Sequence, residues 1–129
     1  MFTIFKDHRF AAGHFIPGHT GGCENLHGHN YRVRVHVAAD TLDTLGMVID
    51  FADLKVLVEE VLGRFDHRVI NDFSPFDTTS PTAEELAAYT YREMARRLAD
   101  RGDAEPRGLA VRKVEVWESE SSCATYGED

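Results

Sequence analysis

The chain has 129 residues, enough for one domain with a real core, and its 43% hydrophobic content is ordinary for a globular protein. A net charge of −8 with no basic run excludes a protein that works by neutralising a nucleic-acid backbone. No apolar run approaches the roughly 18 residues of a membrane span. The start, Met1-Phe2-Thr3-Ile4-Phe5-Lys6-Asp7, alternates apolar and polar residues instead of setting a cationic end before an apolar block, so no secretory signal is read there and a cytoplasmic location is expected. In that compartment a disulfide between Cys23 and Cys123, the two cysteines, is a weak idea.

Residues 2 to 10 place Phe2, Ile4 and Phe10 on one face of a strand. A loop rich in Gly and Pro (Pro17, Gly18, Gly21, Gly22) carries His14 and Cys23, and His27-Gly28-His29 stands just before a second strand over residues 30 to 38. In an extended backbone alternate side chains share a face, so His27 and His29 can aim their imidazoles at one point. The loop can return His14, thirteen residues before His27, to the same place. Three neutral imidazoles and one open position are the ligand set of a catalytic zinc, Zn2+. Cys23, four residues before His27, stands beside that point, where a cation favours a thiolate. The same spacing also permits Cys23 as the fourth ligand of a closed, structural zinc site.

In the second strand Val33, Val35 and Val37 alternate with Arg32, Arg34 and His36, so one face is buried and one is wet, and His36 is assigned to the wet face rather than to the metal. Leu54, Val58, Val61 and Phe65 then recur at helical steps, predicting a helix of about four turns. Asp50 is its N-cap, which explains that acid more simply than catalysis does, and Asp53 falls in the first turn. An irregular connector over residues 66 to 81 holds Asp66-His67, a carboxylate next to an imidazole, the pairing that orients a histidine for proton transfer; a plain surface-loop histidine is the competing reading.

Thr82-Ala83-Glu84-Glu85 has the spacing of a capping box and starts a helix that runs to about Arg101, with Leu86, Met94 and Leu98 in its stripe. Asp100 to Gly108 is a polar turn. Val114, Val116 and Glu118 share one face of a strand over Leu109 to Glu118, Ser121 to Tyr126 returns as a last short strand, and Gly127 to Asp129 are expected to fray. Glu118, at the end of an apolar face, lies either at the wet rim of the sheet or against a ligand. The order strand, strand, helix, helix, strand, strand predicts a single α+β domain over residues 1–129: a four-stranded antiparallel sheet with two helices packed on one face.

Together, Phe10-Ala11-Ala12-Gly13-His14, Cys23 with His27-Gly28-His29-Asn30, Val48-Ile49-Asp50-Phe51, Asp66-His67 with Asn71, Pro81-Thr82-Ala83-Glu84 and Glu118 resemble, in order and spacing over nearly the whole chain, the 6-pyruvoyl-tetrahydropterin synthase family. The chain looks most like the bacterial 6-carboxytetrahydropterin synthase branch. The resemblance implies a tunnelling fold whose sheets join in trimers, two of which stack into a homohexamer. It implies zinc on His14, His27 and His29, and Cys23 as the proton-transferring residue. Asp66 and His67 would act with Cys23 from a neighbouring subunit. Glu118 would anchor a pterin ring, whose 2-aminopyrimidinone edge offers adjacent N–H donors to a carboxylate.

The implied substrate is 7,8-dihydroneopterin triphosphate. The implied reaction expels triphosphate and acetaldehyde and leaves 6-carboxy-5,6,7,8-tetrahydropterin, on the route to queuosine. Two positions depart from the common pattern: Ser119 follows Glu118 where many members carry Thr, and Phe15 follows His14 where many carry Arg. One rival is a 6-pyruvoyl-tetrahydropterin synthase, which eliminates triphosphate without cutting the side chain and shares every residue named. Another is a non-catalytic, zinc-stabilised oligomeric protein.

Overall fold

The computed structural model describes residues 1–128. Two long strands, β1 (Phe2–His14) and β2 (His27–Ala39), pair antiparallel in unbroken register from Phe2 opposite Ala39 to His14 opposite His27. β1 continues past Phe10 because the alternation persists in small residues: Ala12 and His14 are buried like Phe10, while Ala11 and Gly13 lie on the other side. His14, His27 and His29 therefore ride on strands, not in the loop or ahead of the second strand as the sequence suggested.

α1 (Phe51–Leu62) begins where expected, with the Asp50 carboxylate accepting the Ala52 N–H at 2.7 Å. A 3-10 turn (Gly63–Phe65) extends it, and β3 (Arg68–Val69) then pairs parallel with Ala12 and Gly13 of β1. α2 (Ala83–Ala99) is capped by the Thr82 hydroxyl, which accepts the Glu85 N–H at 3.1 Å, and turns Leu86, Met94 and Leu98 inward. The polar turn behind it contains a one-turn helix, α3 (Ala104–Arg107). The guanidinium of Arg107 donates to the carbonyls of Thr41 and Val48 and so fastens the β2–α1 loop. β4 (Ala110–Ser119) and β5 (Ser122–Gly127) complete the sheet. Gly127, expected to fray, pairs with Lys113, and Asp129 lies outside the described residues.

The sheet order is β3-β1-β2-β4-β5. It is five-stranded and mixed, which corrects the expected four-stranded antiparallel sheet. Two residues carry no readable period, and β3 pairs only because the chain after α1 is delivered to the free edge of β1. Both helices do cover one face: Val33, Val35, Val37, Val114 and Val116 pack with Leu54, Val58, Leu86 and Met94 in one core. The register slips where His36 faces Lys113 but Val37 faces Val111, so Arg112 is an extra residue and Val111 and Val114 both point inward. On the open face the Arg34 guanidinium lies 3.9 Å over Phe5, and His36 bonds Glu115, consistent with its assignment away from the metal.

Candidate metal centre

The β1–β2 register sets His14 directly opposite His27, and His29 follows two residues along on the same face. One ring nitrogen from each of these three histidines lies within 4.8 Å of the others. The cluster caps the core: the His14 ring meets Tyr31 edge-on at 5.8 Å, and His29 meets it at 5.4 Å. Only 1% of His14 is exposed. Burial pulls its pKa below the ordinary histidine value and favours the neutral ring that ligation needs.

The outer nitrogens fix the tautomers. His14 Nδ1–H donates to the Pro81 carbonyl at 2.7 Å, and His27 Nδ1–H donates to the Asn25 carbonyl at 2.7 Å. A carbonyl only accepts, so each Nδ1 carries the proton and each Nε2 offers its lone pair. His14 Nε2 is buried without a hydrogen-bond partner. Three converging imidazoles, those of His14 and His27 held in the ligating tautomer and that of His14 buried with Nε2 unpaired, fit a zinc ion. Pro81 and Asn25 act through backbone carbonyls, which no side-chain motif could have revealed. Pro81 also precedes the α2 cap, and Asn25 closes the 3-10 turn Gly22–Glu24 that carries Cys23.

Glu118 is not at the rim. Its Oε2 lies 2.9 Å from His29 Nε2 and 3.7 Å from His14 Nε2. β4 and β5 pair Trp117 with Cys123 and Ser119 with Ser122, so Glu118 is the extra residue of a bulge, a device that re-aims a side chain. Cys23 contributes no atom to the cluster, which disfavours the closed four-ligand site. It is half-buried, and its carbonyl accepts the Ile16 N–H at 2.7 Å, closing the loop at its base.

Asp66 and His67 meet each other, with Asp66 Oδ1 3.0 Å from His67 Nδ1, but not the cluster. Asp66 Oδ1 also accepts the Ala11 N–H at 3.1 Å, and that bond, followed by the one from His67, holds its carboxyl below the usual carboxylate range. Ala11 is three residues from His14, roughly 10 Å along a strand. His67 sits at φ 58, in the left-handed region, where its N–H donates to the Ala11 carbonyl at 2.6 Å.

A family model described as 6-pyruvoyl tetrahydropterin synthase matches residues 3–129. The 6-carboxy-5,6,7,8-tetrahydropterin synthase of Synechocystis is 37% identical and aligns over 98% of this chain and 93% of its own. The Haemophilus influenzae protein of the same name is 31% identical over 99% of this chain and 100% of its own. The solved structure of Caenorhabditis elegans 6-pyruvoyl tetrahydropterin synthase superposes with a TM-score of 0.82 at 28% identity, covering 99% of this chain and 96% of that one. A family match across nearly the entire sequence, together with this fold, means that the chain belongs to the 6-pyruvoyl tetrahydropterin synthase family.

Proposed function

We propose that the protein is a zinc-dependent lyase that converts 7,8-dihydroneopterin triphosphate and one water to 6-carboxy-5,6,7,8-tetrahydropterin, acetaldehyde and triphosphate in the cytoplasm, feeding queuosine synthesis. The observation that carries this reading is the convergence of His14, His27 and His29, the first two in ligating tautomers, in a chain whose relatives bear that enzyme's name. A zinc ion held by the three imidazoles would supply Lewis acidity that makes side-chain hydroxyls of the substrate better proton donors.

The chain's own groups divide the remaining work. Glu118 offers two acceptor oxygens to the N–H edge of the pterin, and its closeness to His29 holds a ring bound there within a side chain's length of the cluster. Cys23, on the loop closed by Ile16, takes and returns the proton. His67 donates Nδ1–H to an anionic Asp66, so its Nε2 is the second proton acceptor. That pair is anchored on Ala11 and not on the cluster, which supports the reading that it serves the site of a neighbouring subunit in the homotrimer, or hexamer of two trimers, implied by the family resemblance.

The test is product identification from 7,8-dihydroneopterin triphosphate with zinc-loaded protein. Equimolar acetaldehyde and 6-carboxy-5,6,7,8-tetrahydropterin support the assignment. A 6-pyruvoyl product without acetaldehyde transfers it to the rival synthase, and no turnover refutes both.

A further inference from the structure

The open face of the sheet carries a cationic pocket that the proposed reaction does not use. Cross-strand register lines up Arg9, Arg32, Trp117 and Cys123 in one row. One row along, the charges are matched: Arg34 pairs with Asp7 at 2.8 Å, and His36 pairs with Glu115. Arg9 and Arg32 face each other directly, and among the described residues neither forms an ion pair with a carboxylate. Like charges directly opposite on neighbouring strands destabilise a sheet. Here they stand with no carboxylate in contact: Asp7, which feels both, is bonded to Arg34 instead.

The pair is also shaped for a ligand. The Arg32 guanidinium rests 4.0 Å over the Trp117 ring, which fixes its plane and leaves the N–H donors at its edge free. A cavity of about 280 Å³ opens there, lined by Arg9, Asn30, Arg32, Trp117, Ser119 and Glu120. Two guanidiniums, a carboxamide and a hydroxyl form a donor set for tetrahedral oxyanions, opposed by Glu120 in the lining and by Asp7, which Arg34 engages, beyond it. Asn30 and Ser119 directly follow His29 and Glu118 on their strands, so the pocket backs onto the histidine cluster across the thickness of the sheet.

We propose that this pocket is a binding site for a phosphate-class oxyanion, held by Arg9 and Arg32 with Asn30 and Ser119 as neutral donors, and separate from the proposed substrate site of the same chain. The anion is either free inorganic phosphate or diphosphate, or the phosphoryl group of a larger molecule. Trp117 is the only tryptophan of the chain, so its fluorescence reports occupancy directly.

The experiment titrates the intact, zinc-loaded protein with inorganic phosphate, inorganic diphosphate and a nucleoside diphosphate, against chloride at matched ionic strength. A saturable change in Trp117 fluorescence is expected that chloride does not produce. Saturation by the inorganic anions identifies a free-anion site; saturation by the nucleoside diphosphate alone identifies a site for a phosphoryl-bearing molecule. R9Q should weaken binding about tenfold, the loss of one charge-assisted contact. R9K should keep part of the affinity, E120Q should tighten binding, and K55Q, which removes a charge on exposed α1, should leave it unchanged. A response that survives R9Q at full affinity in folded protein would put the anion elsewhere, such as on the histidine cluster, and overturns the proposal. So does the absence of any saturable response.

Discussion

The side-chain amide of Asn71 clasps the backbone of Phe15 on both sides: its oxygen accepts the Phe15 N–H at 3.1 Å, and its nitrogen donates to the Phe15 carbonyl at 3.0 Å. An amide in this pose stands in for a neighbouring strand. Asp66 and His67 engage both groups of Ala11 at the other end, and Arg68–Val69 fill the ladder between. One short connector thus holds the β1 edge from Ala11 to Phe15, with His14 inside the span. N71A should leave the half-buried Phe15 groups unpaired at a cost of about 1–3 kcal/mol. It should also loosen His14 and lower zinc affinity about tenfold, as lost outer supports do at metal sites. Chelator competition on protein shown to be folded by circular dichroism checks this; unchanged zinc affinity removes the positioning role.

The sequence carried the site better than the sheet around it. His27-Gly28-His29 was legible because a two-residue period leaves no choice of face, and Asp50 and Thr82 were legible as caps because capping is local chemistry. The parallel partner of β1 was not, since two residues of β3 have no period and their partner lies more than fifty residues away. Glu118 stayed open between rim and ligand because its direction is set by a bulge, which depends on how β5 pairs. The carbonyls of Pro81 and Asn25, which choose the tautomers of His14 and His27, have no side-chain signature at all.

Cys23 separates an open zinc site from a closed one. Its sulfur is outside the three-histidine cluster, so C23S should bind zinc with wild-type stoichiometry and affinity. The serine hydroxyl cannot carry the proton as a thiolate does, so kcat should fall by about 10²–10⁴-fold. Metal analysis of the dialysed variant beside turnover of 7,8-dihydroneopterin triphosphate gives both readouts. Loss of zinc from a folded C23S protein would make the sulfur a ligand.

Removing the metal should leave a folded chain. The core of β2, β4, α1 and α2 is continuous without the histidines, which lie at its end. A ligand that binds only the folded state adds about 4 kcal/mol at a thousandfold excess over its Kd, which shifts Tm on the order of ten degrees for a domain of this size. Chelated protein should therefore keep its circular dichroism at room temperature, melt earlier, and regain activity with zinc. Unfolding on chelation at room temperature would favour the purely structural role.

His8 should give the apo-protein an acid-sensitive step. Its Nε2 is buried without a hydrogen-bond partner, and the ring sits 5.9 Å from Phe10. Burial holds its pKa below the ordinary value of 6.5, opposed by Glu59 and Asp66 and reinforced by Lys55. The unfolded chain therefore binds more protons than the folded one just below pH 6.5, and stability contributed by the neutral ring is present above that pH and lost as pH falls through it. For one proton the slope cannot exceed about 1.4 kcal/mol per pH unit. His14 shifts in the same direction, so the comparison must be with H8F, which keeps His14. H8F fills the same space without an unpaired nitrogen, and should match or exceed the wild-type apo-protein at pH 8 and exceed it by more at pH 5.5. Urea unfolding of chelated protein across that range measures the difference; parallel curves for the two proteins would mean that His8 is not the group whose protonation destabilises the fold.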